Sequence, residues 1–283
     1  MSKKFTERLG FLLLFSATVL VLLFLGIILF DIFSKGVSVL SWKFLTQAPK
    51  QGMTEGGIFP AILGTFLVSV ITVVFAVPLG MFAAIYLHEY ARPGKMTRLI
   101  RLAIRNLSGV PSIVYGLFGV VLFVQTLHLG TSILSAGLTL GLLTLPWTIT
   151  ACEEALKTVP KSYREGALAL GATKWYAIRT NVLPYSIPGM LTGVILGLAR
   201  AAGETAPILF TGAAFFLPQL PKSVFDQFMA LPYHLYILST QHHAIDKVRP
   251  IAYGTAMVLL GLILVLSFSA VWVRSRYRRR MKG

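Results

Sequence analysis

Residues 58–87 read IFPAILGTFLVSVITVVFAVPLGMFAAIYL, thirty positions without a single charged side chain. A helix needs about 20 mostly apolar residues to cross the hydrocarbon core of a bilayer. Inside that core every backbone N–H and C=O must be hydrogen-bonded within the protein, and a helix meets this demand within one segment. The stretch therefore predicts a membrane-spanning helix.

Five further apolar runs have the same character, at 9–30, 108–129, 132–151, 184–213 and 251–273. The 283-residue chain is 55% hydrophobic and 13% charged, whereas soluble domains carry roughly 25% charged residues. The first run is longer than the apolar part of a signal peptide and no A-x-A cleavage pattern follows it, which predicts a retained helix. We expect an all-α integral membrane protein with six transmembrane helices in a single domain over residues 1–283.

The basic residues predict how these helices are oriented. The chain has 26 Lys and Arg residues and a net charge of +16. Nineteen of the 26 fall in four segments that six spans would place on one side: the N-terminal tail, 88–107, 152–183 and the C-terminal tail up to Lys282. Six others fall on the opposite side. This asymmetry predicts that both termini are cytoplasmic, and because it accounts for most of the charge it argues against nucleic-acid binding.

One basic residue, Arg200, lies inside a predicted span, in the stretch GLARAAGETAPILF (197–210). A charged side chain within the bilayer is costly. Glu204 follows four residues later, one helical turn along the same face. Two interpretations stand. The pair is a buried ion pair that sets helix rotation, or both side chains face a polar pathway in which the Arg200 guanidinium meets a passing oxyanion.

The neighbouring residues predict close packing and a break in the same span. Gly189, Gly193 and Gly197 recur every four residues, a pattern typical of tightly packed membrane helices. Pro207 cannot donate a hydrogen bond to the carbonyl of Gly203, so the helical ladder is interrupted beside the charged pair. The glycines therefore predict a packing face, and Pro207 predicts a kink that could serve gating.

The segment 152–183 is too patterned to be a simple connector. Ser162 is a candidate N-cap, with Glu165 three residues later completing a capping box. A short helix would then end at Gly171 in the C′ position, and a basic amphipathic helix would follow. Such a short helix suits either docking into a groove of a partner protein or lying on the lipid surface.

The same segment resembles the EAA signature of ABC-transporter permeases, which has the form EAA-xxx-G, nine residues, then I-x-L-P. Glu165, Ala167, Gly171 and the Leu183-Pro184 pair match at the family spacing, and two positions depart from it. Gly166 replaces the middle alanine, and Asn181 replaces the isoleucine. The resemblance implies the type I ABC importer permease fold, with a coupling helix formed by Glu165, Gly166, Ala167 and Gly171 that docks on a separate ATPase subunit.

Further stretches, among them NLSGVPSIVYGLFG (106–119) and RAAGETAPILFTG (200–212), resemble the PstA-type permeases of bacterial phosphate importers. The resemblance covers about 55–270. It implies a role in phosphate passage for Arg200 and Glu204, with Arg164 in a supporting part. It also implies four kinds of partner: a PstC-like second permease, an ATPase homodimer, a periplasmic phosphate-binding protein and membrane lipid.

Several chemistries are not predicted. The chain has no P-loop motif, so we expect ATP and Mg²⁺ to be bound by the partner ATPase and no cofactor by this chain. No nucleophilic triad or metal-binding spacing is recognisable, so we expect neither an enzyme nor a metal site. The lone Cys152 is expected to be a packing residue, and His242 and His243 to be solvated.

Three questions stay open at the level of sequence. The segment 214–250 is expected to form an extracytoplasmic re-entrant or interfacial helix, with a lipid-surface segment as the alternative. The chain could instead be a permease for another oxyanion, such as molybdate, tungstate or phosphonate. An ATP-independent channel or carrier, with Arg200 and Glu204 in a proton or anion relay, is the more distant alternative.

Overall fold

The computed structural model describes residues 3–280, so Lys282 lies outside the described residues. Most of this range is helical. The helices are α1 (Lys3–Gly36), α2 (Trp42–Thr46), α3 (Phe59–Ile85), α4 (Lys95–Leu107), α5 (Ser112–Gly119), α6 (Ile133–Lys157), α7 (Lys161–Ala169), α8 (Lys174–Ala177), α9 (Leu183–Gly203), α10 (Ala206–Thr211), α11 (Leu231–Thr240) and α12 (Ile245–Arg280). Three π-helical segments continue α3, α5 and α8, namely Tyr86–Tyr90, Val120–Thr126 and Ile178–Val182.

The described chain also contains one small β-hairpin. Strand β1 (Pro49–Lys50) pairs antiparallel with β2 (Glu55–Gly56), and Pro49 lies opposite Gly56. A short 3₁₀ turn at Gln51–Met53 connects the two strands, and another at Val37–Val39 follows α1. The connecting turn includes Gly52 with φ +63°, a left-handed conformation that glycine adopts without steric cost. The hairpin is the only β-sheet among residues 3–280, beside one isolated parallel bridge between Ala213 and Phe228.

Five helical segments are long and apolar enough to cross a membrane, and a sixth span results if one bent pair is counted. These segments are Glu7–Val39, Phe59–Tyr90, Ile133–Lys157, Lys174–Gly203 and Ile245–Tyr277. The prediction of an all-α, multi-span membrane protein is therefore confirmed.

The bent pair corrects the prediction for the region between the second and fourth spans. Residues 88–107 were expected to be a loop, but 95–107 form α4, and the helical stretch Ser112–Thr126 follows at an angle of 102°. The bend falls at Gly109-Val110-Pro111, where proline disfavours a helical conformation of the residue before it. The predicted third span at 108–129 is consequently shorter, and an amphipathic helix precedes it.

The bundle is centred on α3 and α6, which form the most extensive helix pair, and α9 packs against α6. Small residues allow this approach. Gly137 of α6 lies against Ile71 of α3, and Gly80 of α3 lies against Thr148 of α6. Membrane helices associate through such van der Waals contact because lipid tails provide no hydrophobic driving force between them.

Helix α1 is peripheral. It packs along α12, where Gly36 lies against the backbone of Tyr253. The apolar side chains of its middle part, such as Phe11 and Leu14, are exposed. This is the surface expected for a helix surrounded by lipid or by another subunit.

The segment between α10 and α12 is folded into the bundle. Helix α11 buries Leu231, His234, Ile237 and Leu238, and the Leu231 N–H donates to Thr65 Oγ1 of α3 at 2.8 Å. This burial does not fit a lipid-surface position for α11, whereas Phe215, Phe216 and Phe225 earlier in the segment are exposed. Residues 245–250, expected to belong to the same segment, form the first turns of α12.

The irregular stretch before α11 caps the start of α6. The first free N–H groups of that helix, on Ile133 and Leu134, donate to the carbonyls of Asp226 and Val224 at 3.0 and 2.9 Å. The Ser132 side chain accepts from the Ser135 N–H at 3.1 Å. These bonds satisfy helix-end donors that would otherwise be left unpaired.

Candidate functional site

Arg200 lies in the last turn of α9 with about half of its side chain exposed (48%). Its guanidinium contacts two groups. Nε is 3.5 Å from Glu204 Oε1, and the guanidinium carbon lies 5.2 Å from the ring centre of Trp147 on α6. Within residues 3–280 the guanidinium makes no hydrogen bond, although it carries five N–H donors. Its donors are therefore accessible to an anion.

Glu204 contacts Arg200, as predicted, but not from the same helix. Helix α9 ends at Gly203, and Glu204 follows with extended backbone angles (φ −75°, ψ 134°). The predicted continuous span over 184–213 is thus two helices, α9 and α10. Pro207 lies in the first turn of α10, where the missing N–H costs no hydrogen bond. The interruption expected at Pro207 is a complete break rather than a kink.

The pair is weak enough for an anion to compete with it. The Nε–Oε1 distance of 3.5 Å is long beside the roughly 2.7–2.9 Å of a charge-assisted hydrogen bond, and Arg200 is 48% exposed although Glu204 is only 18% exposed. The cation–π contact with Trp147, itself 45% exposed, adds about 0.5–1 kcal/mol. Neither interaction immobilises the guanidinium. The arrangement holds a positive charge beside a carboxylate that reduces its net field.

The glycines of α9 differ in how closely they are packed. A Cβ on Gly193 would overlap the Cβ of Ala151 on α6, well inside 3.0 Å. A Cβ on Gly189 would lie 2.9 Å from Ala155 Cβ, and one on Gly197 would lie 3.7 Å from Thr148 Oγ1. The predicted packing face therefore exists, and Gly193 is its tightest point, whereas the position of Gly197 has room for a methyl group.

Arg164, on α7, is bound differently from Arg200. Its Nε and Nη2 donate to Glu89 at 3.0 and 2.6 Å, and its other donors bond the carbonyls of Val159 and Leu156 at 3.0 and 3.3 Å. Only 20% of the Arg164 side chain and 5% of the Glu89 side chain are exposed. The structure brings Arg200 and Glu204 together, but it places Arg164 on another element, where its guanidinium is fully occupied.

Glu89 is a functional candidate that the sequence reasoning missed. It ends the π-helical extension of α3, and its backbone carbonyl also accepts from Lys174 Nζ at the start of α8. It therefore ties α3 to both short helices of the 152–183 segment. The available signal was a single acid at the end of an apolar span, but nothing in the sequence named Arg164, 75 residues later, as its partner.

Helix α7 is the short helix predicted from the EAA-like stretch. Glu165 and Gly166 are exposed, and Ala167 is buried against the bundle. Gly171 follows the helix with φ +79°, and the N–H of Ala172 donates to the Ala167 carbonyl at 3.1 Å. This is the left-handed C′ conformation that was predicted for Gly171.

The start of α7 differs from the prediction. Helix α7 begins at Lys161 after Pro160, whose fixed φ suits a helix start, and no side chain caps the first turn. The expected capping box of Ser162 and Glu165 is therefore wrong, and the Glu165 side chain faces solvent. At the other end of α7, Leu170 follows the last helical residue and is 90% exposed. Leu170 lines a cavity of about 850 Å³ together with the exposed side chains of Tyr163 and Tyr176. An exposed apolar patch of this kind suits contact with another protein.

The remaining candidate ligands are structural. Cys152 is fully buried in the core, as predicted for a packing residue. His242 was expected to be solvated, but it is 4% exposed; its Nε2 lies 2.7 Å from the Gly52 carbonyl oxygen, and its Nδ1 accepts from Ala244 N–H. His243 is exposed. No group of three or more His, Cys, Asp or Glu residues in the described part of the chain could hold a metal ion.

Comparison with known proteins agrees with this architecture. Residues 76–282 match the family described as the binding-protein-dependent transport system inner membrane component. The chain is 33% identical to the probable ABC transporter permease protein YqgI of Bacillus subtilis over 99% of both chains. It is 36% identical to the phosphate transport system permease protein PstA 1 of Mycobacterium tuberculosis, over 80% of this chain and 72% of that protein.

An archaeal relative and two solved structures extend the comparison. The chain is 32% identical to the probable phosphate transport system permease protein PstA of Methanocaldococcus jannaschii, over 92% of this chain and 89% of that protein. A chain of a bacterial ABC transporter involved in alginate import has the same fold, with a TM-score of 0.68, 14% identity and 96% of both chains covered. A chain of the MetNI methionine ABC transporter aligns with a TM-score of 0.58 and 17% identity, over 78% of this chain and 94% of that one.

The family model matches residues 76–282, a range that includes α7 and most of the bundle. A relative at 33% identity also matches over 99% of both chains. This chain belongs to the binding-protein-dependent transport system inner membrane component family: it is a multi-pass, non-catalytic permease subunit of an ABC importer.

Proposed function

We propose that this chain is a PstA-type permease that carries inorganic phosphate across the cytoplasmic membrane. The observation that carries the proposal is the Arg200 guanidinium, half exposed and without a hydrogen bond in the described chain. A guanidinium fork matches the geometry of phosphate oxygens. Relatives named as phosphate transport system permeases, at 32–36% identity, support phosphate as the anion.

In this proposal Arg200 and Glu204 act together. Arg200 provides a transient partner for the anion, and Glu204, 3.5 Å from it, lowers the local positive field so that the anion is released. Conduction requires binding that is favourable enough for entry and weak enough for exit. The break after Gly203 leaves backbone N–H and C=O groups without helical partners. At membrane depth such groups are tolerated only inside protein or beside a water-filled cavity, which agrees with a polar pathway at this point.

Motion would reach this site from α7. We infer that α7 is the coupling helix and that ATP and Mg²⁺ are bound by a homodimer of separate ATPase subunits. A PstC-like permease would form the other half of the pore, and a periplasmic phosphate-binding protein would deliver the anion. In this arrangement residues 1–283 form one type I permease domain, with both termini in the cytoplasm. Displacement of α7 would be passed to α8 and from there to α9. Helix α8 is nearly continuous with α9 through the π-helical segment Ile178–Val182.

The Arg164 guanidinium would assist from α7 by keeping that helix in place. Its bonds to Glu89, Val159 and Leu156 leave it little capacity to bind an anion. Its supporting part in phosphate passage is therefore proposed as indirect.

The test is uptake of labelled phosphate by cells that express the whole transporter, with the assembled complex quantified by pull-down. Arg200→Gln should abolish uptake without reducing assembly, and Arg200→Lys should restore part of it. Arg249→Gln is the matched control, because Arg249 is also exposed and paired with a carboxylate, Asp246, at 3.1 Å. Loss of assembly in Arg200→Gln would identify the pair as structural.

Two further measurements separate the alternatives. Molybdate, tungstate and phosphonate are each titrated as competitors against a fixed phosphate concentration; half-inhibition by one of them at a concentration below that of phosphate would reassign the substrate. The purified chain is also reconstituted without ATPase or binding protein. Phosphate flux through it alone would identify an ATP-independent carrier and would refute the importer mechanism.

A further inference from the structure

The loop-and-helix segment 92–107 carries a concentrated positive charge. It contains Arg92, Lys95, Arg98, Arg101 and Arg105, and the sequence has no Asp or Glu between Glu89 and Glu153. In the described chain only Arg101 of these five is in an ion pair, with Glu153 at 2.7 Å. The other four are exposed. This charge is not used by the proposed transport mechanism.

Helix α4 is amphipathic and has both of its faces exposed. Apolar residues follow the helical spacing on one side: Met96, Leu99, Ile100, Ala103 and Leu107. Arg98, Arg101 and Arg105 lie on the opposite side. None of the residues of α4 is buried, and Met96 and Leu99 are 70% and 59% exposed. A helix with these two exposed faces matches one that lies in a membrane interface.

The position of α4 in the bundle agrees with that placement. It is bent by 102° from Ser112–Thr126, so it runs along the membrane plane if that stretch crosses the bilayer. Arg101 anchors it at the end of the bundle that carries α7, because Nη2 donates to the Leu87 carbonyl at 2.8 Å and approaches Glu153. Helix α4 is about 20 Å long. When it lies in the membrane plane, its basic residues are all at the same membrane depth.

The basic face contains a surface cavity of about 450 Å³. Its lining combines three guanidinium groups with a small turn: Pro93, Gly94, Thr97, Arg98, Arg101, Leu102 and Arg105. We propose that this cavity binds the headgroup of an anionic phospholipid of the cytoplasmic leaflet, while the apolar face of α4 lies among the acyl chains. Anionic lipid satisfies both faces at once, whereas a soluble acidic partner would leave the apolar side chains in water.

Charge complementarity is the physical basis of the proposal. A basic residue near an anionic membrane surface gains about 1 kcal/mol, which corresponds to about fivefold in binding. Removing Arg98 and Arg105 together should therefore weaken binding about 25-fold. Arg101 is left unchanged in these variants because its contacts to Leu87 and Glu153 hold α4 on the bundle.

The experiment uses the assembled transporter in nanodiscs that contain a photoactivatable phosphatidylglycerol, with a photoactivatable phosphatidylcholine as the neutral comparison. Labelled peptides are identified by mass spectrometry. We expect phosphatidylglycerol to label 92–107 and phosphatidylcholine to label it at least tenfold less. Arg98→Gln/Arg105→Gln should reduce the labelling about 25-fold, and Arg98→Lys/Arg105→Lys should retain it. Arg276→Gln/Arg279→Gln, in a separate basic cluster near the end of α12, is the matched control and should change nothing in 92–107.

Three outcomes would overturn the proposal. Equal labelling by the two lipids would remove the role of charge. Full competition by millimolar inorganic phosphate would indicate a site for a soluble anion instead. Chemical cross-linking of 92–107 to an ATPase subunit, in place of lipid labelling, would indicate an acidic protein surface. Transport is not measured, so the result does not depend on which anion the importer carries.

Discussion

The packing of α9 on α6 predicts a graded response to adding one methyl group. Gly193→Ala would place a Cβ inside 3.0 Å of Ala151 Cβ, Gly189→Ala would place one 2.9 Å from Ala155 Cβ, and Gly197→Ala would meet only an ordinary contact at 3.7 Å. Alanine replaces glycine in a helix interior with a gain of about 1 kcal/mol. Since all three variants share this gain, differences between them report the clash alone.

The magnitude follows from the contact distances. Carbon atoms pack at about 3.5–4.0 Å, so an added methyl group that overlaps Ala151 must push α9 away from α6. Neighbouring contacts that widen by 0.5–1 Å then lose a quarter to a half of their dispersion attraction. Overpacking of this kind costs about 1–3 kcal/mol. Gly197→Ala should therefore be neutral or stabilising by up to about 1 kcal/mol. Gly193→Ala should be less stable than Gly197→Ala by about 1–3 kcal/mol, with Gly189→Ala between them.

The assay is unfolding of the purified complex in detergent by SDS titration, followed by loss of helical circular dichroism, with thermal retention of the monodisperse complex as a second readout. Gly197→Ala is the matched control because it makes the same chemical change one turn away. Equal stability of Gly193→Ala and Gly197→Ala would refute the close α6–α9 contact on which the reasoning rests.

Three further predictions concern the charged pairs and helix α7. Glu89→Gln or Arg164→Gln should each destabilise the complex by about 3–5 kcal/mol, because one buried charge loses its partner; the double variant should lose less than the two effects combined, as measured by a double-mutant cycle. Gly171→Ala should strain the turn after α7, where φ is +79°, by about 1–2 kcal/mol, and should reduce the ATPase that co-purifies with the permease. Glu204→Gln should slow phosphate release while anion contact is retained, which transport assays would record as a lower maximal rate with an unchanged or lower KM.

Each of these has an outcome that contradicts it. Strictly additive effects at Glu89 and Arg164 would show that the two side chains do not act as a pair. Normal ATPase recovery with Gly171→Ala would remove the conformational argument for that glycine. Parallel loss of transport and assembly in Glu204→Gln would assign Glu204 a structural role.

Local sequence features predicted much of the architecture. Long uncharged runs such as 58–87 are sufficient to predict spans, because the thickness of the bilayer imposes a length on each of them. The short helix at α7 and its end at Gly171 were also predictable, since a left-handed turn residue is a local requirement. A helical spacing of four residues predicts the contact between Arg200 and Glu204, and the contact forms although Glu204 lies just beyond the end of α9.

The features that the sequence did not predict depend on distant parts of the chain. Glu89 is buried in contact with Arg164, 75 residues away, and the buried His242 contacts the Gly52 carbonyl, 190 residues away. The sequence predicts a loop over 88–107, whereas residues 95–107 form helix α4.

The sequence by itself therefore determined the membrane class, the main spans and the short helix α7, because hydrophobic length, charge and turn chemistry act over a few residues. Only the tertiary structure decided that α9 ends at Gly203, that Gly193 and not Gly197 is the tight contact, and that Arg164 is occupied while Arg200 is accessible. These properties depend on which side chains face each other across the bundle, and non-local packing sets that arrangement.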